Sequence, residues 1–206
     1  KNNLTIKRSN VSKSGVLEYM ENISVDLSTR GTSNCYIVSE PGFYSFDATV
    51  IGNGAEGIIP NAGFHTHTPT IAPSTAEILW QDYTTIVTDV NLTPEGRVTF
   101  AATGSEGNAL ISVKDTSGTI LWSWHIWSTD EPVDHKYINH YGQKITVQDR
   151  NLGAISAVRG TGDQWKESVG LQYQWGRKDP FAKGSSPTRN DDDLTLNHSI
   201  QNPTIY

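Results

Sequence analysis

GNALISVKDTSGTILWSWHIW, residues 107–127, holds two runs of alternating apolar and polar residues on either side of Asp115-Thr116-Ser117-Gly118. An alternation of period two sends successive side chains to opposite faces of an extended chain. The intervening Asp and Gly favour tight reversal, because glycine reaches positive φ without a Cβ clash. The stretch therefore predicts a β-hairpin joining 109–114 to 119–127. In its second arm Trp122, Trp124 and Ile126 share one face, and Leu121, Ser123, His125 and Trp127 share the other. One of these faces must be core.

Outward from this hairpin the same period recurs in LTIK at 4–7, ISVDL at 23–27, CYIV at 35–38, FYSFDATV at 43–50, AEILWQ at 76–81 and RVTFAAT at 97–103. Pro41-Gly42, Asn53-Gly54 and Pro94-Glu95-Gly96 supply turns between them. Many short strands without a long amphipathic helix predict a mainly β protein built on an antiparallel, Ig-like β-sandwich. Residues 52–73 break the period and read as a functional loop or a wandering edge. STDEPVD at 128–134 reads as a domain junction. Beyond it, 145–154 predicts a strand and turn, 168–176 a short helix ending at Gly176, and 191–200 a second helix with Asp191 near its N-terminus. The expected organisation is a sandwich over 1–130 and a smaller, incomplete α+β module over 131–206.

Composition narrows the function classes. The net charge of −6 over 206 residues carries no clustered basic stripe, which argues against nucleic acid as a partner. Cys35 is the lone cysteine, so neither an intrachain disulfide nor a multi-cysteine zinc site is available, and its apolar neighbours predict a buried small hydrophobe. No apolar run approaches the ~18 residues a membrane-spanning helix requires. The chain begins at Lys1, which suggests a processed or truncated start.

Chemistry-bearing residues are present but scattered. His65 and His67 share a face of an extended chain, yet zinc requires three or four protein ligands, so an exposed polar loop is the expectation. His125, His135 and His140 flank the junction with Asp130, Glu131 and Asp134, but no GxSxG elbow or cysteine signature supplies a nucleophile. A pair of carboxylates for glycoside hydrolysis stays open, since their separation belongs to the fold. Asp191-Asp192-Asp193 lacks the alternating oxygens and central glycine of an EF-hand loop and reads as a solvated helix start. Asn3, Asn10, Asn22, Asn91 and Asn197 open Asn-X-Ser/Thr sequons, which signal glycosylation only in a eukaryotic secretory protein. No catalytic residue, metal or cofactor is expected. Exposed tryptophans are the candidates for a binding role: Trp127, Trp165 and Trp175 would stack on a sugar or anchor a partner wherever they stand open. The general burial of large apolar groups argues for all six tryptophans inside.

NCYIVSEPGFYSF at 34–46, GNALISVKDTSGTILWSWHIWSTDEP at 107–132, QDRNLGA at 148–154 and GLQYQWGRKDPF at 170–181, in that order, resemble strings of large extracellular proteins of Bacteroides and relatives. These include the fimbrillin-like and pilus-tip proteins. The last two strings are also similar to a paralogous bacterial surface module related in fold to C-type lectin-like domains. The resemblance covers 34–181 in patches and implies a fimbrillin-like sandwich in a non-catalytic, extracellular protein peripheral to the outer membrane. It implies a role in adhesion or fimbrial assembly, with other surface subunits or glycans as partners. The lipidated N-terminus of such proteins is not in the sequence, and the second module is expected to continue past Tyr206.

Overall fold

A computed structural model describes residues 24–29, 31–52, 70–82, 84–183, 185, 187–189, 193 and 195–205. Within them the strands are β1 (Val25–Asp26), β2 (Cys35–Val38), β3 (Gly42–Asp47), β4 (Thr75–Gln81), β5 (Val87–Leu92), β6 (Arg97–Ala102), β7 (Gly107–Lys114), β8 (Ile120–Ser128), β9 (Asp134–Ile138) and β10 (Lys144–Gln148). Two short helices follow, α1 (Trp165–Val169) and α2 (Leu196–Gln201). The LTIK run, Asn53-Gly54, His65 and His67 lie outside the described residues. No helix among the described residues is long and apolar enough to cross a membrane.

The hairpin forms as expected. β7 pairs antiparallel with β8, and Trp124 faces Ile111 across the ladder. At the turn, Asp115 Oδ1 accepts from the amides of Ser117 and Thr119, while Gly118 takes φ 88. Gly96 plays the same part between β5 and β6 at φ 81. A Cβ there would also meet Thr49 Cγ2 at 2.3 Å.

The fold is mainly β, with two four-stranded sheets ordered β1-β3-β6-β5 and β2-β8-β7-β4, and the two-stranded β9-β10. The expectation of antiparallel pairing throughout is corrected: β1 runs parallel to β3, and β2 runs parallel to β8. Tight turns force antiparallel pairing only between the strands they join, as at β5-β6 and β7-β8. β2 is instead followed at Gly42 by a strand of the other sheet, and its own neighbour β8 begins only at Ile120. β5 carries no clean alternation because Asp89 sits at φ 54 and the register shifts between Thr88 and Asn91.

One core cluster draws on both sheets. Phe46 of β3 lies 5.0 Å from Trp124 of β8 and 5.1 Å from Tyr36 of β2, ring centre to ring centre. Val98 and Phe100 join from β6, Ile111 and Val113 from β7. Ile200 of α2 closes one end of this cluster.

Both faces of β7 and β8 are buried. Opposite the core face, Leu110, Ser112, Ser123, His125 and Trp127 are also withdrawn from solvent. Residues 153–178 reach this second face: Trp127 Nε1 donates to Ala154 O at 3.1 Å, and Lys178 Nζ donates to Ser123 Oγ at 2.7 Å. The helix expected over 168–176 is corrected. Helical turns occupy Trp165–Val169 and stop at Gly170, which takes φ 80 and would press a Cβ to 2.5 Å from Leu152 O. Gln172 then forms a bridge with Phe181. The second expected helix is present as α2, capped by Thr195, whose hydroxyl accepts from the His198 amide, and Asp191 lies outside the described residues.

Candidate functional sites

Parallel pairing of β2 with β8 sets Cys35 opposite His125. The Cys35 sulfur lies 3.2 Å from His125 Nδ1, and His125 Nε2 lies 2.9 Å from Asn108 Oδ1. Asn108 Nδ2 donates to Asp82 Oδ2 at 2.8 Å and to Gly153 O at 3.0 Å. Because the amide nitrogen is thus engaged, its oxygen faces the imidazole, so Nε2 carries the ring proton and Nδ1 accepts from the thiol. The spacing is that of a cysteine-histidine-asparagine hydrolytic array. Its electrostatics are not: burial pushes the Cys35 thiol up to about 12 and His125 down to about 3. Both groups are neutral at pH 7, and no thiolate is formed for nucleophilic attack. The array acts as a hydrogen-bonded pin between β2, β7, β8 and the segment at Gly153. The expectation of Cys35 as a buried small hydrophobe is corrected: the residue is half-buried and bonded to a partner 90 residues away in sequence.

A second buried polar group stands beside it. Lys178 Nζ donates to both Asp179 carboxylate oxygens at 2.7 Å, to Ser123 O at 3.0 Å, and lies 4.4 Å from the centre of the Trp122 ring. Burial lowers the pKa of this lysine, and the adjacent Asp179 carboxylate opposes that effect.

The surface site is a groove of about 770 Å³ formed by the end of β10, the loop 156–162 and α1. Its floor is braced by Arg150, which donates through Nε to Asp149 at 2.9 Å and through Nη1 to Thr129 at 3.0 Å, with a further close pair to Asp130. The hydrogen bonds from Arg150 hold both Asp149 and Asp130 below the ordinary carboxylate value. Asn151 Nδ2 donates to Ser168 O and Val169 O, which ties the end of α1 to the floor. Gly160 permits the close approach of the loop to Gln164, whose Cβ would stand 2.2 Å from a Cβ at 160. Trp165 opens one wall, and Gln148 and Arg159 line the same space. On the other side of Trp165 a more apolar hollow of about 370 Å³ is lined by Val169, Leu171 and Phe181.

The three candidate tryptophans meet different fates. Trp165 is 49 % exposed in the groove, and Trp175 is fully exposed at a turn that lines neither hollow. Trp127 is 1 % exposed, so the expectation of an open ring there is corrected. Its strand face is covered by the chain around Ala154, which also takes its indole proton. Trp122 and Trp124 are likewise buried. His135 and His140 are exposed along the β9-β10 hairpin, and Asp193 accepts from the Thr195 amide at 2.9 Å. Among the described residues no three His, Cys, Asp or Glu side chains gather to hold a metal. No protein-family model matches the chain, and no curated protein or solved structure matches it.

Proposed function

We propose that this chain is a non-catalytic, extracellular surface protein that binds carbohydrate in the groove beside Trp165. The reading includes the finer architecture, a β-sandwich followed by a smaller α+β unit. The observation that carries it is the pairing of an exposed indole with planar polar side chains in one open, braced groove. An indole face takes the apolar face of a sugar ring, while amide and guanidinium groups meet its hydroxyls. A polar, open groove suits a hydrated oligosaccharide better than an apolar ligand. Replacing Trp165 with alanine is expected to weaken glycan binding at least about tenfold, in line with the loss of an aromatic anchor. Glycan-array screening followed by calorimetry on the wild type and Trp165→Ala checks this. Absence of any glycan ligand defeats the reading.

A second reading, attachment to another surface subunit, has its own observation. In the β9-β10 hairpin Tyr137 faces Ile145 and His135 faces Val147, so three of these four side chains on one side of the ribbon are apolar, and Tyr141 stands 83 % exposed at its tip. Copies of this chain meeting through that ribbon would bury it. Light scattering is expected to show concentration-dependent self-association that Tyr137→Ser with Val147→Ser removes. A monomer at every concentration rules out self-assembly.

A further inference from the structure

We propose that the Trp165 groove selects sugars that carry a carboxylate, with Arg159 as the residue that reads the charge. The inference rests on the carbohydrate reading above and names the substrate class within it. Among the described residues three charged side chains line the groove: Asp149, Arg150 and Arg159. Asp149 is held by Arg150, whose Nε and Nη2 each donate to one of its oxygens at 2.9 and 3.1 Å. Arg150 is further spent on Asp130 and is 4 % exposed in its side chain, so it has no face to offer a ligand. Arg159 is exposed and has no hydrogen bond or ion pair among the described residues. The groove therefore presents one uncommitted positive charge on the same lining as an open indole. A guanidinium fork matches a carboxylate through two parallel hydrogen bonds, and a carboxylate at the rim of a sugar ring lies outside the stacked face. The protein as a whole carries −6, so an anionic sugar is repelled elsewhere and is admitted where Arg159 outweighs that field. A single guanidinium does not serve a phosphate backbone, which requires several cations along its length.

The test compares a galacturonic acid oligosaccharide with its methyl ester, which keeps the ring and removes only the charge. Calorimetry on the whole chain is expected to show the acid binding about tenfold tighter than the ester, the worth of one charge-assisted contact. Arg159→Gln is expected to erase that difference by weakening the acid more than the ester, and raised salt is expected to weaken the acid more than the ester. Trp165→Ala is expected to weaken both. If acid and ester bind alike, or if Arg159→Gln retains the preference, the charge-reading role is overturned and the carbohydrate reading stands. If neither of these nor any neutral glycan binds, both readings fall. Tighter binding of an acidic peptide than of the sugar acid also overturns the proposal, since it assigns the guanidinium to a protein ligand.

Discussion

Replacing Lys178 with methionine is expected to destabilise the protein by about 3–5 kcal/mol, the usual penalty for removing one partner of a buried ion pair. Methionine fills most of the lysine stem's volume, so the loss is electrostatic. Asp179, with its side chain 4 % exposed, would keep its charge with no counter-ion, and Ser123 would lose the donor to its hydroxyl. Removing both charges, in Lys178→Met with Asp179→Leu, is expected to recover most of the deficit, because apolar replacement of a buried pair is often near neutral. The half-exposed pair of Lys114 and Glu77 at 2.6 Å provides the contrast. Solvent screening there limits the effect of Lys114→Met to under about 1 kcal/mol. Urea denaturation of the four proteins checks the series. A loss below about 1 kcal/mol in Lys178→Met, or a double variant no better than the single, would show that the pair is not buried as described.

Acid is expected to destabilise the protein well before its carboxylates titrate. Burial holds His125 down to about 3 in the native state, against the ordinary imidazole value of 6.5 in an unfolded chain. Its tautomer adds to the effect, since a proton on Nδ1 would face the thiol proton of Cys35. Below pH 6.5 the unfolded chain takes up a proton that the native chain refuses, so the balance moves toward unfolding. The stabilisation is complete above 6.5 and declines as pH falls toward 3. Its slope approaches about 1.4 kcal/mol per pH unit, which gives roughly 2–3 kcal/mol lost by about pH 4.5. Asp130 and Asp149 have values lowered from 3.8, so their contribution is lost only as pH falls below about 3.8. His125→Gln is expected to be less stable at pH 7 yet nearly flat between about pH 7 and 4.5. Denaturation midpoints across that range test the point, and a flat wild-type profile would refute a neutral, buried His125.

The hairpin at 107–127 was legible because its arms keep strict alternation and its turn residues act locally. β5 was not, since Asp89 and the register shift hide its period within six residues. The direction of β2 was also beyond reach, because its partner β8 lies 90 positions away, with Cys35 opposite His125. The face assignment in β8 was correct in its sorting and incomplete in its conclusion. Alternation separated Trp124 from Trp127, but it could not reveal that 153–178 would cover the second face. Trp165 was readable as a candidate only by residue type. The groove around it depends on Arg150 crossing to Asp130 and on Gly160 admitting Gln164, neither of which leaves a periodic trace. Arg159 escaped notice for a related reason: its significance lies in the pairing of Arg150 with Asp149, which leaves it the one unspent cation among the described residues of the lining.

The double burial of β7 and β8 also imposes an order on the life of the chain. During synthesis from the N-terminus, the hairpin is complete at Ser128, but Lys178 and Phe181 emerge some fifty residues later. Until the chain reaches Ala154, about 26 residues past the hairpin, Trp127 has no cover, and His125 has its Asn108 partner without the Gly153 carbonyl that anchors it. The nascent sheet is then an adhesive surface, open to any other unfinished chain nearby. The same face that lies buried in the finished protein is thus the one that most needs shielding while the protein is being made.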